Sequence, residues 1–196
     1  GRVQLLSRDL LKLRRNRARQ VRRTIQMVFQ DPLACLNPAM SVVDAIDDPL
    51  LIHHLDSPVA VREQARRIME RVGLGPAEHY QKRLPRQLSG GQQQRVAMAR
   101  SLTLEPKVLI CDESVSMLDA EIEADMLALP RQLQRDLGLA LIFITHDLSV
   151  ASGFCHRLIV LNQGHLVEAG PGDRLLNQQQ ADITKTLVDP CPGLPN

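Results

Sequence analysis

The 196-residue sequence has almost no aromatic side chains. Phe29, Tyr80, Phe143 and Phe154 are the whole set, and Trp is absent. That excludes a stacking platform for single-stranded nucleic acid, which needs successive aromatic faces. Long apolar runs are lacking as well. The longest, LGLALIFIT at 137–145, is about half of what a membrane-spanning helix requires. No signal peptide opens the chain, so membrane association is expected to run through a partner. Cysteines are few and scattered: Cys35, Cys111, Cys155 and Cys191, with no CxxC pair. A zinc ribbon and a thioredoxin-like motif are therefore not expected, and reduced thiols fit best. An initiator Met is missing too, since the first residue is Gly1. This marks a fragment or a processed start.

What is present is a globular mixture: 44% hydrophobic and 23% charged residues, enough to bury a core. Charge is uneven. The first 25 residues hold nine Lys or Arg against one acid, Asp9, while the remainder carries 15 basic and 21 acidic residues. The run KLRRNRARQVRR at 12–23 has the composition of a nucleic-acid patch. The plainer reading is a solvated helix, with Leu6, Leu10 and Leu13 at i, i+4 and i+7 on its inner stripe.

Pattern and punctuation predict helices over about 8–22, 41–54, 59–73, 91–104, 120–136 and 147–153. Strands are expected at 25–29, 107–111, 139–145, 157–162 and 165–170, with a fraying Pro-containing tail. Val42, Val43, Ile46, Leu50 and Leu51 read as core, and Cys111 as a small buried hydrophobe. His53-His54 reads as an exposed helix end, because no third metal ligand is spaced to join it.

The strands at 107–111 and 139–145 are apolar throughout, which predicts parallel strands buried on both faces. A helix joins them as a βαβ unit. Each ends in polar residues: Asp112-Glu113 after the first, His146-Asp147 after the second. Ligands of such sheets bind outside the carboxyl ends of the strands. Asp147 also suits a helix N-cap. A buried strand ending in two acids calls for a cation. Asp112 would hold Mg²⁺, largely through water, and Glu113 would polarise an attacking water. His146 would contact the terminal phosphate or orient that water. Ahead of them, LSGGQQQRVAMARSL at 88–102 starts a helix with Ser89 as N-cap and Gly90-Gly91 in its first turn. Such an N-terminus is an anion site.

This string resembles the signature motif of ATP-binding-cassette (ABC) ATPases. VLICDE resembles their Walker B strand, SMLD their D-loop, FITHD their switch-histidine loop and MVFQDPLACLNP their Q-loop. The last, with DESVSMLD, is most similar to peptide and nickel importer ATPases, and the resemblance covers essentially the whole chain. It implies an α/β P-loop NTPase-like nucleotide-binding domain with a parallel sheet core and a helical subdomain. By position it implies that Gln30 touches Mg²⁺ and senses a transmembrane partner. Ser89, Gly90, Gly91 and Gln92 would clasp the γ-phosphate of ATP held by a second ATPase subunit. Asp112 would hold Mg²⁺, with Glu113 as catalytic carboxylate, His146 as switch histidine and Asp119 at the dimer interface. The implied cofactors are ATP and Mg²⁺. The implied partners are a second ATPase subunit, membrane permease subunits and, indirectly, an extracytoplasmic solute-binding protein, with no nucleic acid. The implied location is the cytoplasmic face of the inner membrane.

On this resemblance the chain divides into 1–30, the end of the N-terminal core through the Q-loop; 31–88, the helical subdomain; 89–170, the signature helix and RecA-like core; and 171–196, a tail. No G-x-x-x-x-G-K-S/T occurs in the 196 residues. That motif cradles phosphates, and in the family it lies upstream of the stretch matching Gly1. The chain is thus expected to be the family domain without its N-terminal third, and inactive alone. Pro130 is expected to kink or split the helix after the D-loop. Two alternatives stand beside an importer ATPase: a truncated, non-catalytic paralogue acting through protein contacts, and a nucleic-acid-associated ABC ATPase favoured only by the Arg-rich start.

Overall fold

The computed structural model describes residues 1–53, 57–112, 120–177 and 181–188. The chain divides into two compact units, Gly1–Ile142 and Phe143–Asn196.

The first unit opens with a two-residue hairpin, β1 (Gln4–Leu5) against β2 (Arg8–Asp9). Leu6 and Ser7 take positive φ at its turn, the twist that tight hairpins demand. A 3-10 turn at Leu10–Lys12 follows, capped by Asp9, and then helix α1 (Arg15–Thr24). The helix expected from residue 8 therefore begins at 15. Leu6 is 62% exposed at the hairpin tip, so the proposed leucine stripe does not form. The i, i+4, i+7 coincidence spans a strand and a 3-10 turn.

Strand β3 (Ile25–Val28) runs parallel to β4 (Val108–Asp112), with Val28 opposite Cys111. Strand β5 (Ala140–Ile144) completes the order β3-β4-β5. Leu109 and Cys111 are fully buried. β5 departs from expectation: Ile142 and Ile144 are 50% and 44% exposed. It is an edge strand among the described residues, and apolar composition alone does not supply a cover.

Helices α2 (Val42–Ile52), α3 (Pro58–Arg71) and α4 (Gly90–Leu102) pack on one another. Ser41 and Ser57 cap α2 and α3 through the amides of Asp44 and Ala60, as hydroxyl N-caps do. Val42, Val43, Ile46 and Leu50 are buried as expected, while Leu51 is 47% exposed because it turns off the α2 stripe. On α4 the residues Val96, Ala97, Met98, Ala99 and Leu102 are all buried. The helix is enclosed by α2, α3 and β3.

Pro49 lies inside α2. A helical proline removes the N–H that would bond the carbonyl four residues back. That carbonyl, Ala45 O, instead accepts from Arg100 Nη1 at 2.9 Å. The same guanidinium holds Asp48 Oδ2 at 3.0 Å. Arg62 bridges α3 to α2 through Asp44 at 2.9 Å and Asp47 at 3.1 Å. Gly73 ends the α3 region at φ +77°, where a Cβ would stand 2.5 Å from Arg95 Nη1. Helix α5 (Ala120–Leu137) runs unbroken through Pro130, contrary to the expected split. Leu129 and Leu133 of its inner face are buried, and tertiary packing holds what propensity opposes.

The second unit holds α6 (Leu148–Phe154), the antiparallel pair β6 (Arg157–Asn162) and β7 (His165–Pro171), α7 (Gly172–Asn177) and α8 (Asp182–Val188). Gln163 and Gly164 make its turn at positive φ. Leu148, Ala151, Leu158 and Leu175 form its core, with Cys155 and Leu187 against them. Residues 172–177 and 182–188 are helical, and the Pro-containing end beyond 188, expected to fray, lies outside the described residues. Thr184 is completely buried.

Candidate functional site

The parallel pair β3-β4 places two predicted residues at one edge. Asp112 follows Cys111 directly and Gln30 lies two beyond Val28, so both stand at the carboxyl ends of adjacent strands. Asp112 is half-buried and Gln30 is exposed. Carboxylate and amide oxygens are of the type that a hard divalent cation takes. After Gln30 the chain is pinned locally. Asp31 accepts from the Leu33 amide at 2.9 Å, starting a 3-10 turn at Pro32–Ala34, and Asn37 accepts from Ala39 at 3.0 Å. α4 packs against that turn. Burial pushes the Cys35 thiol above its ordinary value, so it stays protonated and unreactive there.

At the start of α4 a reciprocal cap forms. Ser89 Oγ accepts from the Gln92 amide at 3.3 Å, and Gln92 Oε1 accepts from the Ser89 amide at 3.1 Å. The amides of Gly90 and Gly91 carry no hydrogen bond among the described residues, as befits a first helical turn. Nothing lies within 4 Å of a Cβ built on Gly90. Among the described residues no packing therefore requires glycine there, and the space beside Gly90 is open. The helix dipole adds positive potential at that end.

The three glutamines after the glycines have local duties. Gln92 closes the cap. Gln93 Nε2 donates to Pro85 O and Leu88 O, both at 3.1 Å, fixing the loop that leads in. Gln94 is buried. Much of the triplet is thus structural. Reasoning from sequence missed Arg100. Its signal was Pro49, a break in a helical pattern that must be repaired from outside.

The signature serine stands away from this edge. Ser101, in the last turn of α4, donates to Met27 O of β3 at 3.3 Å. Ser89 is twelve residues earlier, about 18 Å along the axis. His146 belongs to the second unit and is exposed, between Thr145 and Asp147. Thr145 Oγ1 accepts from the Asp147 amide at 3.1 Å, and Asp147 caps α6 through Val150 N at 3.0 Å. The cap reading of Asp147 is the observed one. Glu113 and Asp119 lie outside the described residues, as does His54. A groove of about 810 Å³ between α3, the turn after α4 and α5, lined by Arg67, Ile68, Leu102, Leu133 and Leu139 among others, contains none of the predicted site residues.

A parallel sheet with Gln30 and Asp112 at the carboxyl ends of adjacent strands is an α/β core of the kind that binds ligands at that edge. Residues 1–116 match the family described as ABC transporter. The oligopeptide transport ATP-binding protein OppF of Salmonella typhimurium is 45% identical over 98% of this chain and 57% of its own length. The dipeptide transport ATP-binding protein DppF of Escherichia coli is 41% identical over 99% of this chain and 58% of its own. The chain thus spans little more than half the length of these curated relatives.

Among solved structures, cbiO1 from Clostridium perfringens, part of the ABC transporter complex cbiONQ, superposes with a TM-score of 0.80 at 28% identity. It covers 91% of this chain and 69% of that one. An ATP-binding cassette in a dimeric post-hydrolysis state, bound to ADP and Pi, gives 0.76 at 29% identity over 87% and 73%. The chain belongs to the ABC transporter family, and its fold is that of the family's ATP-binding domains.

Proposed function

We propose that this chain is the signature-bearing part of an ATP-hydrolysing subunit of an importer for peptides or nickel-like solutes, working at the cytoplasmic face of a membrane. The observation that carries the reading is the start of α4: a capped helix, two unbonded amides and open space at Gly90. Ser89, Gly90, Gly91 and Gln92 bind the γ-phosphate of ATP held by a second subunit. The 18 Å or so of helix between Ser89 and the β3 contact supports a site completed by another copy rather than within one. At the sheet edge, Asp112 and Gln30 hold Mg²⁺, whose charge neutralises the phosphates. Glu113 takes the proton of the attacking water, His146 orients the γ-phosphate, and Asp119 lies against the partner subunit. Nucleotide-driven closure of two such subunits is passed to permease subunits, fed by an extracytoplasmic binding protein. Closure follows the population shift that any state-selective ligand imposes.

The test uses the complete subunit. Glu113→Gln should abolish turnover and leave an ATP-dependent dimer visible by light scattering, and adding Ser89→Arg should remove that dimer. Wild-type turnover in Glu113→Gln would sink the reading.

A further inference from the structure

The first 25 residues carry nine of the 24 basic residues and one acid. Arg8, Lys12, Arg14, Arg17 and Arg22 are exposed, and none belongs to an ion pair among the described residues. Asp9, the sole acid, already accepts from the Leu11 amide at 3.1 Å. Two large apolar side chains stand out among these cations: Leu6 at the hairpin tip and Leu11 in the 3-10 turn, 62% and 65% exposed. The apolar side of α1 is used up, because Val21 is buried.

Local terms oppose α1 by itself. Arg14 at its N-cap makes no side-chain bond, and its first turn holds no acid. Arg19 and Arg23 stand four residues apart with like charge, a destabilising spacing. An anionic surface laid against this region relieves those terms.

From this arrangement we infer that the β1-β2 hairpin, the 3-10 turn and α1 form a direct contact for the anionic headgroups of a lipid bilayer. The inference rests on the membrane location proposed above and adds a lipid contact to the one made through permease subunits. Cations interleaved with exposed leucines are what an acidic membrane interface selects. Nucleic acid would use the arginines but leave Leu6 and Leu11 without a role, and the segment has no aromatic residue to stack on bases. The attraction is worth about fivefold in partition coefficient for each basic residue near the surface.

The experiment is co-sedimentation of the full chain with vesicles of pure phosphatidylcholine or with about 30% phosphatidylglycerol, at low and at high salt. Binding is expected only to the anionic vesicles, and it should be lost at high salt. The triple variant R14Q/R17Q/R22Q should bind about a hundredfold more weakly, and L6S/L11S should also bind more weakly, each with unchanged far-UV circular dichroism. Four results would overturn the inference: equal binding to neutral vesicles, no binding at low salt, an unaffected triple variant, or tighter binding of duplex DNA or RNA than of vesicles in the same buffer. ATP turnover of the complete subunit carrying the triple variant should be unchanged. Failure of the lipid contact therefore leaves the ATPase reading standing, and that reading fails separately, on wild-type turnover in Glu113→Gln.

Discussion

Arg100→Met should expose the repair that keeps α2 helical across Pro49. Ala45 O loses its helical donor to the proline and receives Arg100 Nη1 at 2.9 Å instead. A hydrogen bond from a charged donor to a buried carbonyl contributes about 1.5 to 3 kcal/mol. The Asp48 contact at 3.0 Å joins side chains 28% and 31% exposed, which limits it to about 0.5 kcal/mol. Methionine keeps most of the stem packing, so the expected loss is about 2 to 3 kcal/mol. Pro49→Ala restores an N–H four residues after Ala45. In that background Arg100→Met should cost only about 1 kcal/mol, a coupling of about 1 to 2 kcal/mol. Urea denaturation of the wild type, both single variants and the double variant, followed by circular dichroism, closes the cycle. Additivity within about 0.5 kcal/mol would refute the reasoning, because the two residues would then share no carbonyl.

The other predictions concern the ion network and the helix start. Arg62→Met strands Asp47, whose side chain is 3% exposed and whose Oδ1 has no partner among the described residues. The cost at neutral pH should be about 2 to 3 kcal/mol, the low end for breaking a buried pair because Arg62 is itself 39% exposed. Burial raises the Asp47 carboxyl above its ordinary value, so the fold favours its protonated form. The penalty is full above the folded pKa and absent below the unfolded value near 4. The Asp44 carboxyl is lowered, chiefly by the Ser41 hydroxyl and less by Arg62, and its contribution likewise fades on acidification. The cost of Arg62→Met should therefore shrink as the pH falls toward about 4, and a pH-independent cost in denaturant melts would contradict this. Ser89→Ala should cost about 1 kcal/mol through the lost cap. Gly90→Ala should leave stability within about 0.5 kcal/mol, since its Cβ meets nothing, yet should depress ATP turnover of the complete subunit, which a phosphate-release assay reads. Pro130→Ala should raise stability by about 1 kcal/mol in thermal melts, recovering part of the helical proline penalty.

Much of the architecture was legible before folding because its signals are local. Serines ahead of apolar runs marked the starts of α2, α3 and α4, and their caps are present at all three. The Gln163-Gly164 turn marked the β6-β7 hairpin. Asp112 at the end of β4 followed from its strand, whereas Gln30 came only from the family resemblance, and the parallel pairing of β3 with β4 was not anticipated. Where reading failed, the missing information was a distant neighbour. The 6-10-13 leucine spacing imitated a helix because periodicity ignores a hairpin turn at positive φ. Nothing local tells that Gln93 reaches Pro85 and Leu88.

The sequence by itself determined the order and type of most elements and the family, since each is written in short runs of spacing and charge. Tertiary structure alone decided which apolar faces find a cover, leaving Ile142, Ile144 and Leu51 exposed while Met98 and Leu109 are sealed. It also decided that α2 survives Pro49, because a guanidinium 51 residues further along arrives at the orphaned carbonyl. Burial and hydrogen-bond repair depend on partners remote in sequence, and no local pattern encodes where those partners come to rest.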